Sequence, residues 1–493
     1  MTGMKPWQIL VFFISVVLTL MIISFVFPGD GLQVSAGIRL KFFNPDELFA
    51  ADTNYYADIS SIIENSGIDE LDEEDEILDS LFIEMPEDPE EVPMDTVRVD
   101  ADSIRRITHL IEFSRKGKEG FHVFFRRLSH VRDNGELIRI LHYGDSQIET
   151  DRMTGFIRNR LQKRFGGSGC GLVPPVPLYK GKMSIAQDHS GEWNRKVGFG
   201  GSDTTRTHNS FGALISYASF DAASFDSTDL PWIELKPSPI AYATARKYNE
   251  VSLYLSKKNN DYMAMDVLAD DSLIDRIEVA DELDYNKITW KFGKTPSRFR
   301  MVFGGSGSPE LYGISLDNHW GVAVDNIPLR GSAGLVFSKN DTVQLRQMYE
   351  DLNVGLIILQ FGGNVVPYMK NASRYEEIFK RELKVIRSLC PGTAVLVIGP
   401  SDMSIRDNGK YITNPNLEKI RDAMRRATLD AGYAFWDMYE AMGGKNSMPS
   451  WVFAEPSLAI SDFVHFNTRG ARIIAEMLYN AIIYEYDTWE HGN

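Results

Sequence analysis

Four short stretches of the sequence hold side chains suited to nucleophilic chemistry. Ser146 lies in "HYGDSQIETDRMTG", Asp462 and His465 in "SDFVHFNTRG", Asn364 in "LQFGGNVVPY" and Gly331 in "DNIPLRGSAG". A serine hydroxyl is a weak nucleophile by itself. It needs a base within hydrogen-bond reach, a group that orients the base, and donors for the oxyanion that forms on the attacked carbonyl. The three-residue gap between Asp462 and His465 is that of one face of a helical turn, so the carboxylate can accept from one imidazole nitrogen while the other faces a hydroxyl. Asn364 offers a side-chain amide, and Gly331 and Ser146 offer backbone N–H groups. Each of these residues also has an ordinary structural reading, Ser146 as a helix cap and Gly331 and Asn364 as turn formers. Joined in one site, they would perform acyl transfer.

The elements needed to bring them together are legible in the hydropathy pattern. Leu137 to Leu141 is a short apolar run, and Met153, Phe156, Ile157 and Leu161 recur at helical spacing, so Ser146 sits in a strand, tight turn, helix unit. Later stretches repeat the pattern: "HWGVAVDNIPLRGSAG", "VGLIILQFGGN", a helix around Tyr375 to Leu389, "AVLVIGP", a helix around Leu417 to Ala431, "AFWDMYEAMGG" and a helix from Thr468. Continuous apolar strands alternating with amphipathic helices predict a parallel sheet covered on both faces, with its site at the carboxyl ends of the strands. Between Met183 and Asp317 short alternating runs such as "WIELKP", "VSLYLS" and "KITWKF" predict an inserted all-β sandwich. Its Trp193, Trp232 and Trp290 are placed either to stack on sugars or to fill the core, and His208 is a candidate rim residue. From Ser103 the positions Ile104, Ile107, Leu110, Ile111 and Phe113 predict a helix. Acidic residues near the serine read as local supports, Asp145 for the turn and Glu149 or Asp151 for the helix N-terminus.

In a chain of 493 residues, 68 Asp plus Glu outnumber 52 Lys plus Arg, and no basic patch interrupts that balance, which argues against nucleic acid as a partner. Lys5 precedes "WQILVFFISVVLTLMIISFVF", about 21 residues without a charge, the length of a bilayer-spanning helix. The positive-inside rule then places the bulk of the chain outside the cytoplasm, on the periplasmic side of an inner membrane. The expected organisation is a membrane anchor over 1–28, an extended acidic linker over 29–102, a first α/β part over 103–182, the β-sandwich over 183–317 and a second α/β part over 318–493. Cys170 and Cys390 form one disulfide or none. The oligomeric state is not readable from the sequence.

Taken in order, Gly-Asp-Ser after the first strand, Gly331, Gly-x-Asn at Asn364 and Asp-x-x-His before the last helix resemble the SGNH, or GDSL-type, serine hydrolase superfamily over roughly residues 103–182 and 318–485. That resemblance implies a flavodoxin-like three-layer α/β/α fold. Ser146 would be the nucleophile, Asp462 and His465 the remainder of the triad, and Ser146, Gly331 and Asn364 the oxyanion donors, with no metal or cofactor. Gln147 replaces the usual leucine and Val365 the usual aspartate after the asparagine. The run from "HYGDSQIETDRMTG" to "RFGGSGCGLV" is similar to a subgroup that includes peptidoglycan O-acetylesterases carrying an inserted carbohydrate-module-like β-domain. The resemblance implies an acetylated polysaccharide substrate, removal of its acetyl groups, and as alternatives acetyl transfer through the same acyl-serine or a non-catalytic polysaccharide-binding role.

Overall fold

The computed structural model describes residues 7, 10–16, 18–19, 32–35, 38–40, 56–66, 109–178, 184–191, 193–200, 208–221 and 230–492. They divide into two compact units, Met1–Tyr56 and Ala57–Asn493. In the first unit residues 10–16 are helical, and Leu32–Ser35 pairs antiparallel with Ile38–Leu40. Among the described residues no helix is long and apolar enough to cross a membrane; much of the expected anchor, including residues 20–28, lies outside them.

The larger unit is built on one six-stranded sheet. Its order is Gly321–Pro328, Leu137–Gly144, Val354–Gln360, Ala394–Ile398, Ala434–Trp436 and Glu112–Phe113. All neighbours are parallel except the last pair. Every residue of Val354–Gln360 is buried, which is why this segment reads as a continuous apolar run and not as an alternation: both of its faces are covered. Ile138, Ile140, Ile358 and Leu396 face a core shared with the helices Arg115–Ser129, Thr154–Phe165 and Thr468–Gly492. Tyr143, Ile357, Leu359 and Val397 face a second core shared with Thr342–Asp351, Ala372–Leu389 and Leu417–Asp430. The register sets Gly144 beside both Pro328 and Gln360, so the turns that follow these three strands leave the same edge of the sheet.

Between the Thr154–Phe165 helix and the Gly321–Pro328 strand lie two antiparallel sheets packed face to face. Val251, Leu253 and Leu255 from one meet Met265, Val267 and Met301 from the other, and Met263–Ala269 alternates strictly between buried and half-buried positions. The sandwich begins earlier than residue 183, because Gly171–Val173 pairs with Glu310–Asp317. Trp193 packs edge-on against Phe220 and Phe303 inside this core. Trp290 is buried and donates its indole N–H to Asp275 at 2.8 Å. The Trp232 ring is covered by the Arg300 guanidinium at 4.2 Å. Trp193 and Trp290 are thus core residues, and Trp232 is half-buried with one face of its ring under Arg300. His208 pairs with Glu310 at 2.6 Å and stacks on Tyr217, within the sandwich.

Two expectations need correction. The helix predicted from Ser103 begins, among the described residues, only at Arg115; before it Glu112–Phe113 is an edge strand against Ala434–Trp436. Apolar residues at 110, 111 and 113 fit a helical spacing, but the open edge of the sheet offers backbone partners that a helix would leave unmet. The supposed linker over 29–102 also holds structure beyond the hairpin. Within it, Ala57 donates its N–H to Asn446 O and its carbonyl accepts Ser450 Oγ. Ile59 is buried in the core, and Ser60–Asn65 is helical. One apolar anchor among acidic neighbours outweighs the charge of the segment locally. The acidic run itself lies outside the described residues. Cys170 and Cys390 are both free thiols, and burial pushes each up to about 12.

The junction of sheet and sandwich is fastened by a buried ion triad. Arg139, on Leu137–Gly144, pairs with Asp317 and with Asp325 at 2.7 Å, and Asp325 also accepts the Leu172 N–H at 2.8 Å. Burial pushes Asp325 up to about 6, opposed by Arg139. Replacing Arg139 by Met strands two buried carboxylates and is expected to cost about 3–5 kcal/mol. Urea unfolding at pH values on either side of 6 checks this. Without Arg139 to oppose burial, the Asp325 carboxyl is raised above its wild-type value of about 6, so the deficit is expected to be largest at high pH and to shrink as the pH falls toward about 6.

Candidate active site

Ser146 opens a short 3-10 turn, Ser146–Asp151, directly after the Leu137–Gly144 strand. Gly144 and Asp145 are pinned to both neighbouring strand ends: Gly144 O accepts from Leu329 N–H at 2.7 Å, and Asp145 N–H donates to Gln360 O at 3.2 Å. Gly144 has no room for a side chain, since a Cβ there would stand 2.9 Å from Ile148. The Asp145 carboxylate accepts Gln147 N–H at 3.0 Å and so caps the turn, as its sequence position suggests.

The remaining residues converge on Ser146. Its Oγ lies 2.8 Å from His465 Nε2, and His465 Nδ1 lies 2.7 Å from Asp462 Oδ2. Asp462 and His465 do not lie on a helix, which begins only at Thr468. They lie in a turn in which Phe463 adopts φ 60 and Asp462 Oδ1 accepts both Val464 N–H at 2.9 Å and His465 N–H at 3.0 Å. The three-residue spacing is met by an Asx-type turn instead. Burial pushes the Asp462 carboxyl up, but the bonds from the His465 ring and from the His465 and Val464 N–H groups more than offset it, so the group is held below the usual carboxylate range. A fixed anion therefore faces Nδ1, and Nε2 is left to accept the serine proton.

The three expected oxyanion donors stand on turns from the same sheet edge. The N–H groups of Ser146 and Gly331 have no acceptor among the described residues. Gly331 has φ 75, a backbone conformation that suits glycine. Asn364 donates its amide to Ser332 O at 3.4 Å, a long bond that an oxyanion can replace, and also bonds the Asp145 carboxylate. Arg330, next to Gly331, forms a two-pronged ion pair with the buried Glu149, so the Gly331 turn is clamped to the serine turn. Glu149 and Asp151, expected near the helix N-terminus, are both engaged in ion pairs, Asp151 with Arg158 in a two-pronged pair at 2.5 and 3.0 Å. Thr150 and Asp151 both have positive φ, and they line a cavity of about 80 Å³ with Arg158, Ser184, Leu214 and Arg330. The triad lies outside this cavity.

Two buried groups set the electrostatic background. His142 lies below the turn, bonded to Gln360 at 3.1 Å and Thr154 at 2.9 Å, and burial lowers it to about 4, so it stays neutral. Burial raises Asp145 to about 6, opposed by the Gln147 N–H, His465 and Asn364. A carboxyl with a raised folded value contributes stability below its unfolded pKa and loses it as the pH climbs through about 6. The shift corresponds to up to about 3 kcal/mol. Asp145→Asn is expected to remove that slope while wild type becomes less stable between about pH 4 and pH 6 relative to the variant. Chemical denaturation across that range measures it.

Sequence reasoning missed Glu149–Arg330, because charges on separate turns carry no spacing signal, and it missed what Gln147 does, although its departure from the common leucine marked the position.

Residues 288–473 match the GDSL-like Lipase/Acylhydrolase family. The match includes Gly331, Asn364, Asp462 and His465 and begins after Ser146, which the inserted sandwich separates from the rest. Over those residues the chain thus carries a GDSL-like acylhydrolase domain, which supports an SGNH-type esterase. Among solved structures it is similar to a peptidoglycan O-acetylesterase, with a TM-score of 0.61 at 20% identity, covering 77% of this chain and 100% of that one. This shows a shared fold. Family two carbohydrate esterases from Cellvibrio japonicus (TM-score 0.25, 7% identity, 62% of this chain and 99% of that one) and Clostridium thermocellum (TM-score 0.24, 11% identity, 55% and 99%) are far more distant and support no argument. No curated protein matches the chain in sequence.

Proposed function

We propose that the protein removes O-acetyl groups from a cell-envelope polysaccharide, with peptidoglycan as the favoured substrate. The observation that carries this reading is the relay from Ser146 Oγ through His465 to Asp462, at 2.8 and 2.7 Å. Ser146 Oγ attacks the ester carbonyl carbon as His465 Nε2 takes its proton. The carbonyl electron pair becomes an oxyanion held by the N–H groups of Ser146 and Gly331 and the amide of Asn364. Collapse expels the sugar alkoxide, which takes the proton from His465 and leaves acetyl-Ser146. Water, deprotonated by His465, then attacks the acetyl carbon, and acetate leaves as Ser146 regains its proton. Asp462 stays charged and stabilises the imidazolium.

Peptidoglycan is favoured because the fold is that of a solved peptidoglycan O-acetylesterase over the whole length of that chain. The N-terminal apolar stretch supports an anchor with the esterase on the periplasmic side: Trp7, Leu10, Phe12 and Phe13 are about 60% exposed on their own unit. The test is acetate release by the full chain from O-acetylated peptidoglycan and from acetylated xylan, with and without an oligosaccharide acceptor. Release from peptidoglycan in water supports the proposal. Acetyl appearing on the acceptor in place of free acetate replaces it with transfer, and no reaction on any acetyl ester refutes it.

A further inference from the structure

Gln147 directly follows the nucleophile and is buried. Its amide reaches across to the loop that carries the base. Nε2 donates to Val464 O at 2.7 Å and to Ser401 Oγ at 3.2 Å, and Oε1 accepts from Phe466 N–H at 3.4 Å. Val464 and Phe466 are the two chain neighbours of His465, so one side chain holds the base's backbone from both sides. The same residue is tied to the serine turn through its own N–H, which donates to Asp145. The loop it holds is an unusual one. Phe463 has φ 60 and stacks on Tyr411 at 3.6 Å, and its carbonyl accepts Ser404 N–H at 3.0 Å. That packing fixes the loop on its outer side, whereas Gln147 fixes it on the side that faces Ser146.

We infer that Gln147 is a positioning residue for the base, whose primary amide, as donor and acceptor together, sets His465 Nε2 within reach of Ser146 Oγ. This rests on the esterase reading above and deepens it. Leucine at 147 has similar bulk and makes none of the three bonds. Glutamate keeps the bond from Phe466 N–H but has no proton for Val464 O, and its charge beside the imidazole favours the protonated ring. Because the side chain is buried and engaged by Val464, Ser401 and Phe466, its loss acts on alignment and not on substrate contact. Small misplacements of reacting groups slow reaction by about 10 to 100-fold.

The experiment compares full-length wild type with Gln147→Leu and Gln147→Glu. It measures phosphonylation of Ser146 by a fluorophosphonate probe, kcat and KM on a chromogenic acetate ester, the pH profile and the melting temperature. Both variants are expected to label about 10 to 100-fold more slowly and to lose kcat by a similar factor, with KM little changed. The glutamate variant is also expected to move the acid limb of the profile to higher pH, which a merely structural defect would not do. Folded variants that label and turn over at the wild-type rate with an unmoved acid limb would overturn the inference. If the leucine variant fails to fold, the glutamate variant decides. A wild type that is phosphonylated at Ser146 yet releases no acetate refutes the acetylesterase reading, while the labelling rates still decide the role of Gln147.

Discussion

Ser146→Ala is expected to lower ester turnover by about 10⁶-fold while leaving the fold intact. The side chain is half-buried at the start of a turn that is held by other groups: the Asp145 carboxylate caps it, and the strand ends on both sides fix Gly144 and Asp145. Removing one hydroxyl leaves these contacts in place, so thermal stability should change little. His465→Ala is expected to be as severe, and the double variant no worse than either single one, because the two residues act as one unit in the same step. Steady-state hydrolysis of a chromogenic acetate, with melting curves for each protein, measures all three. Losses that instead multiplied would mean that serine and histidine act independently and that the 2.8 Å contact is incidental.

Asp462→Asn is the second large effect, about 10⁴-fold in kcat. The asparagine oxygen can still accept the Val464 and His465 N–H groups, so the turn survives. Its amide nitrogen, however, would face His465 Nδ1 and donate to it. The ring proton is then driven to Nε2, which points at Ser146 as a donor and cannot accept the hydroxyl proton. The wild-type carboxylate avoids this because its bonds hold it charged. Having a folded value below the unfolded one, it contributes stability above the ordinary carboxylate pKa and loses it as the pH falls through the folded value, well below the range in which an imidazole serves as base. The variant should therefore fail across the whole working pH range. Recovery of activity at high pH would show that tautomer control is not the role of Asp462.

The sheet and the site were readable to different depths. Apolar runs such as Val354–Gln360 announce buried parallel strands directly, and the glycine turns after them mark the edge where Ser146, Gly331 and Asn364 gather. The Asp462–His465 pair was found by its spacing, although an Asx turn with Phe463 at φ 60, and not a helix, realises it. Spacing reports proximity without fixing backbone conformation. Long-range partnerships were invisible: Arg330 with Glu149, Gln147 with Val464, and Tyr411 on Phe463 join residues brought together only by the closed fold. The tryptophans of the sandwich show the same limit, since a ring that fills a core and a ring that binds a sugar look alike in sequence. Trp193 and Trp290 turned out to be core.

The central claim is that Ser146 carries the acyl group between the ester substrate and water. It is tested most directly by mixing wild type with a chromogenic acetate, quenching in acid within the first turnovers, and mapping the acetyl group by peptide mass spectrometry. The account predicts acetyl on Ser146 alone, in a burst matched by released chromophore, and none in Ser146→Ala. Turnover by wild type with no acetylated Ser146, or acetyl carried by another residue in the Ser146→Ala protein at undiminished rate, would contradict it.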